Sequence, residues 1–91
     1  MSVRLSAQAE ADLRQLIDWL AARSPKAARK AVMRVVLALD HLEAFAELAP
    51  EVDGAARQLR VRFGRDGFLI RYRNEEAGVF VESILHGRQD R

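Results

Sequence analysis

The hydrophobic repeat of this chain changes period once, near Arg57, and that change constrains the fold more than any other feature. Ahead of it, apolar residues recur every three to four positions, as on one side of a helix. Behind it they recur at every second position, as on one side of a strand. The first helical stripe is Ala9, Leu13, Leu16, Ile17 and Leu20, with Arg14 and Asp18 opposite. Ser6 stands where an N-cap is needed, and Glu10 and Asp12 complement the dipole of the opening turns. Trp19 falls at the flank of the stripe, where its indole N–H can meet water or a partner. Ser24-Pro25 then starts a second helix, since serine suits the cap and proline the first helical position. That helix runs to about Phe45, with an inward stripe of Ala28, Val32, Val35, Leu39, Leu42 and Ala46, flanked by Val36. Two helices joined so tightly form an antiparallel hairpin. Ser2 to Leu5 alternates weakly and reads as a short first strand.

Pro50 closes the helical part and Asp53-Gly54 supplies a turn. From Arg57 onward Leu59, Val61 and Phe63 point one way and Arg60 and Arg62 the other. Residues 64–67, Gly-Arg-Asp-Gly, have the composition of a hairpin turn. The returning strand sets Phe68, Ile70 and Tyr72 against Leu69, Arg71 and Arg73. A longer turn is expected over residues 74–78. The last strand, Val79 to Leu85, is apolar on both sides, so its period does not assign a core face; burial on both faces suits a central strand. The order is β-α-α-β-β-β. It predicts an α+β fold, with an N-terminal strand and a helical hairpin packed on an antiparallel sheet.

Ninety-one residues make one domain, 1–91, because a second would be too small to bury its own core. No cysteine is present, so neither a disulfide framework nor a thiolate metal site is available. The opening residues lack a hydrophobic run of signal-peptide length. The longest apolar stretch, Val35 to Leu39, is far short of the roughly 20 residues that span a bilayer. A soluble cytoplasmic protein is expected. Net charge is only +2, yet six arginines (57, 60, 62, 65, 71 and 73) share a segment with a single acid, Asp66. Such clustering could serve a polyanion or an acidic protein. The chain also carries 13 arginines against two lysines, so a compositional bias explains their abundance, though less readily their place on one hairpin.

Metal binding has little support, because His41 and His86 are the only histidines and neither has a carboxylate at a ligand spacing. His41 lies away from the core stripe and reads as a solvated surface residue. Neither a phosphate-binding glycine loop nor a nucleophile elbow occurs. Metal-free RNA cleavage would need a proton acceptor, a proton donor and cations for the developing charge. Arg60, Arg62, Arg71 and Arg73 could supply the cations, and His86 titrates near neutrality. A partner for His86 is not evident. Tyr72, the only tyrosine, alternates with the arginines and is expected to face the core. Glu82 reads more readily as a cross-strand ion-pair partner than as a base.

A resemblance runs along nearly the whole chain. Its pieces are Ala9-x-x-Asp12-Leu13-x-x-Leu16-Ile17, Ala27-Ala28, Pro50, Gly54 and Arg57-Gln58-Leu59, then Phe68-Leu69-Ile70-Arg71-Tyr72 and Ile84-Leu85-His86-Gly87-Arg88. In this order and spacing they resemble the ParE-type toxins of the RelE/ParE toxin–antitoxin superfamily. The ribosome-dependent nucleases of that superfamily usually carry a catalytic tyrosine near the C-terminus, whereas here no tyrosine follows Tyr72. The His-Gly-Arg ending looks like the ParE branch. That branch implies a cofactor-free inhibitor of DNA gyrase, neutralised by a ParD-like antitoxin, with a toxin dimer or a toxin–antitoxin hetero-oligomer also admitted. On this reading Arg60, Arg62, Arg71, Arg73, His86 and Arg88 would contact the target. Trp19, Met33 and Leu37 would contact the antitoxin, since Met33 and Leu37 project from the second helix opposite its core stripe. The alternative is a RelE-like mRNA endoribonuclease using His86, Arg71 and Arg73.

Overall fold

A computed structural model describes residues 2–46, 51–53, 56–65 and 67–86. Strand β1 (Ser2–Leu5) leads into helices α1 (Ala7–Arg23) and α2 (Pro25–Phe45). Strands β2 (Glu51–Asp53), β3 (Ala56–Val61), β4 (Phe68–Glu75) and β5 (Gly78–His86) follow. They form one sheet in the order β1-β5-β4-β3-β2. The helical hairpin covers one face, so the α+β reading stands. Two details extend it. The sheet is antiparallel from β2 to β5, but β1 joins β5 in parallel, which makes it mixed. The three-residue strand β2 lacked a sequence signal because it is too short to show alternation.

Ser24 serves both helices at once. Its N–H closes α1 on the Leu20 carbonyl at 2.7 Å, and its hydroxyl accepts from the Ala27 N–H at 3.1 Å to open α2. A single residue therefore turns the chain, and Pro25 follows where an N–H would have had no helical partner. Ser6 caps α1 in the same way, accepting from the Ala9 N–H at 2.9 Å.

The core lies between the hairpin and the sheet. From α2 it takes Ala31, Val35, Ala38 and Leu42, with Ala46 just beyond. From the sheet come Val61, Phe68, Ile70, Tyr72, Val79, Val81 and Ile84. Leu59 and Phe63 pack against this cluster, as do Leu13, Leu16, Leu20 and Leu39. The expected α2 stripe needs one correction. Val32 is 37% exposed and Val36 58%, whereas Ala31 and Ala38 are buried. The helix sits close to the sheet along a seam lined by these alanines and Val35, and Val32 and Val36 are left on the flank.

The β3–β4 turn depends on two glycines with positive φ, Gly64 (61°) and Gly67 (66°). Gly67 also donates its N–H to the Phe63 carbonyl at 2.8 Å, and a Cβ there would collide with the Val61 carbonyl. The turn expected over 74–78 is tighter than its composition implied: β4 continues to Glu75 and β5 begins at Gly78. Pro50, Gly54, Asp66, Gly87 and Arg88 lie outside the described residues.

Candidate functional site

A register shift in β5 decides which side chains reach which face. Arg71 pairs with Ser83, but Tyr72 pairs with Val81, so Glu82 is an extra residue in the strand. Such a bulge moves the alternation by one position. Val79 and Val81 face the helices ahead of it, and Ile84 does so after it. This is why the period of the last strand could not assign a face.

The segment around the bulge is pinned from α1. Strand β1 ends at Leu5, opposite Val81, while β5 continues to His86, so beyond Val81 the backbone groups on that edge need partners other than a strand. Ser6 donates its N–H to the Val81 carbonyl at 2.9 Å and its hydroxyl to the Glu82 carbonyl at 2.7 Å. The Asp12 carboxylate accepts the Ile84 N–H at 3.0 Å and also the Gln8 amide at 2.7 Å. Asp12 was expected to serve the helix dipole, but it holds the strand.

Beyond the bulge, His86 pairs with Phe68 and so stands on the helix side of the sheet. Its ring lies edge-on to Trp19, 6.3 Å between centroids, and Arg23 stacks on the Trp19 ring at 3.9 Å. Trp19 remains 49% exposed. Met33 and Leu37 are more exposed still, at 64% and 62%, on the outward side of α2 beside Val36.

The opposite, helix-free face carries the arginines. Register partners share a face, and the pairs Ala56–Arg73, Gln58–Arg71 and Arg60–Leu69 place three predicted target-contact arginines together. Arg4, opposite Phe80 on β5, joins them; the alternation of residues 2–5 already put it away from Val3 and Leu5. Arg62 lies past the end of β3, exposed, its carbonyl accepting a long 3.5 Å contact from Arg34. The expected target-contact set is thus divided, with Arg60, Arg71 and Arg73 on one face and His86 on the other.

Charges on the arginine face are partly balanced within it. Arg73 donates its Nε–H to Glu82 at 2.5 Å, the ion pair that the sequence favoured for Glu82. Arg4 pairs with Glu75 at 3.2 Å and lies over the Phe80 ring. Arg71 differs: its Nη2 donates to the neutral Gln58 Oε1 at 3.1 Å, and its buried Nε has no hydrogen-bond partner among the described residues. Beside it Leu69 is completely buried although it lies outside the helix-side core. Gln58 had no distinguishing sequence signal, since its role depends on strand register.

Tyr72 is fully buried on the helix side and donates its hydroxyl to the Ala46 carbonyl at 2.5 Å. Among the described residues no group of three or more histidine, aspartate or glutamate side chains could hold a metal ion. No described helix is long and apolar enough to cross a membrane.

These features meet a family description. A family model for the ParE toxin of the type II toxin–antitoxin system parDE matches residues 3–91. The chain belongs to the ParE toxin family. Two relatives from Caulobacter vibrioides bear other names. Toxin RelE1 is 33% identical over 90 residues, covering 99% of this chain and 97% of its own. Toxin RelE3 is 31% identical, covering 99% and 98%. Among solved structures, the chromosomal ParDE TA system from P. aeruginosa matches the fold with a TM-score of 0.76. It is 24% identical, with 94% of this chain and 95% of that one covered. As a type II toxin of this family, the ParE-family chain has an antitoxin partner.

Proposed function

We propose that this ParE-family toxin acts by binding a protein target, DNA gyrase, and that a ParD-like antitoxin neutralises it. The carrying observation is the placement of its titratable groups. Acid–base cleavage of RNA requires donor and acceptor side chains within hydrogen-bond reach of one phosphodiester, beside cations. Here the phenol of Tyr72 is shut inside the core on the Ala46 carbonyl. His86 lies across the sheet from Arg60, Arg71 and Arg73. What the arginine face offers is charge and shape, which suit binding. Its carboxylates, Glu75 and Glu82, would oppose a phosphate backbone, whereas a protein partner can match a surface of mixed charge with complementary groups.

For the antitoxin, Met33 and Leu37 with Val36 provide apolar contacts on α2, and Trp19 a further anchor on α1. An amphipathic segment laid along a helix uses such contacts. The same surfaces would serve a toxin dimer or a toxin–antitoxin hetero-oligomer. Action on gyrase would be cytoplasmic.

The names of the Caulobacter relatives give the second reading, a RelE-like mRNA endoribonuclease, its standing. Purified toxin assayed for gyrase supercoiling and for cleavage of mRNA on translating ribosomes separates the two. Inhibited supercoiling with intact mRNA is expected. Cleaved mRNA with unaffected supercoiling would replace this reading by its alternative.

A further inference from the structure

The buried, unpartnered Nε of Arg71 calls for an explanation, because a charged donor withdrawn from water is costly unless an acceptor meets it. Among the described residues its surroundings supply none. Gln58 Oε1 takes only Nη2, and the register neighbour across β5 is the uncharged Ser83. Along β4 the same face carries Leu69, fully buried, and Arg73, already engaged by Glu82. Arg71 is therefore a cation on a partly apolar floor, held by a neutral amide while carboxylates are spent on Arg4 and Arg73. Low local polarity strengthens whatever charge interaction is finally made there.

We infer that Arg71 is a receptor for a single carboxylate of the protein target, and that Gln58 is a displaceable stand-in for it. A carboxylate matches the side of a guanidinium through two parallel hydrogen bonds, here to Nε and Nη2. Gln58 occupies Nη2 with one oxygen, which leaves Nε without an acceptor. If the amide swings aside, an incoming Asp or Glu satisfies both donors and the charge together. A protein carboxylate fits better than a nucleic-acid backbone, since a run of phosphates would meet Glu75 and Glu82 on the same face. The inference rests on the reading of this face as a protein-contact surface, and its test does not require gyrase to be the target.

The experiment follows the Arg71 Nε–H resonance of the whole toxin by NMR during titration with sodium acetate, with sodium chloride at equal ionic strength as reference. Sodium phosphate forms a separate arm. A saturable acetate shift is expected, enlarged in Gln58→Ala. In Gln58→Glu the built-in carboxylate should move the resonance in advance and abolish the response. In a supercoiling assay, Gln58→Glu should inhibit gyrase about tenfold less than wild type, a step of about 1.4 kcal/mol. An acetate response without gyrase inhibition would keep the receptor and discard the gyrase reading. A response to phosphate but not acetate, or to neither, would overturn the receptor, as would a Gln58→Glu protein that responds like wild type.

Discussion

Three side chains carry most of the local logic, and two of them do work other than their chemistry invites. Tyr72 would be the obvious proton-transfer group, yet its hydroxyl ties the central strand β4 to the end of α2 through Ala46. Tyr72→Phe leaves that buried carbonyl without its donor and should cost about 1–3 kcal/mol. Urea denaturation measures it, and the folded variant should remain as toxic as wild type. Loss of toxicity from a stably folded Tyr72→Phe protein would contradict a structural role. Asp12 is the second case, its carboxylate holding the Ile84 N–H on the otherwise open edge of β5. Asp12→Ala should also cost about 1–3 kcal/mol and speed hydrogen exchange at Ile84. Unchanged exchange at that amide would show the contact to be dispensable. His86 is the third, set against Trp19 rather than among the arginines.

At the scale of elements, the packing of α2 distinguishes residues that periodicity ranked alike. Leu42 is almost completely buried, whereas Leu39 only borders the core. Leu42→Ala should therefore cost about 2–5 kcal/mol, and Leu39→Ala clearly less, by thermal or chemical denaturation. Equal losses would mean that the seam is misplaced. The β3–β4 turn offers a second contrast. Gly64→Ala should cost about 1 kcal/mol for its left-handed backbone alone, since its surroundings are open. Gly67→Ala should cost more, because the added methyl also meets the Val61 carbonyl. Much of this layout was legible in advance. Ser6, Ser24 and Pro25 marked both helix starts because capping is local, and the period of β3 and β4 set the arginines apart from the core. Three features were not legible. The inward turn of Ala31 and Ala38 depends on how closely α2 approaches the sheet. The Glu82 bulge depends on pairing with β4. The Gln58–Arg71 contact depends on register between strands. Each is tertiary, so no window of sequence contains it.

For the whole molecule, the sheet separates two surfaces. The helix side exposes apolar Met33, Val36 and Leu37, the surface proposed for the antitoxin, and the far side carries the arginines proposed to meet the target. Leu37→Glu should weaken the toxin–antitoxin complex while leaving the toxin folded, as binding and circular dichroism would report. Undiminished association of a folded Leu37→Glu protein would place the antitoxin elsewhere. Binding through charge also predicts that added salt weakens target inhibition, since screening acts on exposed charges. The most direct measurement is gyrase supercoiling inhibition by purified wild type, His86→Ala and Arg71→Glu, each verified as folded. Strong inhibition by wild type, modest weakening in His86→Ala and collapse in Arg71→Glu is the predicted result. Absence of inhibition by wild type, together with mRNA cleavage on ribosomes that His86→Ala lowers about 10²–10⁴-fold, would contradict it.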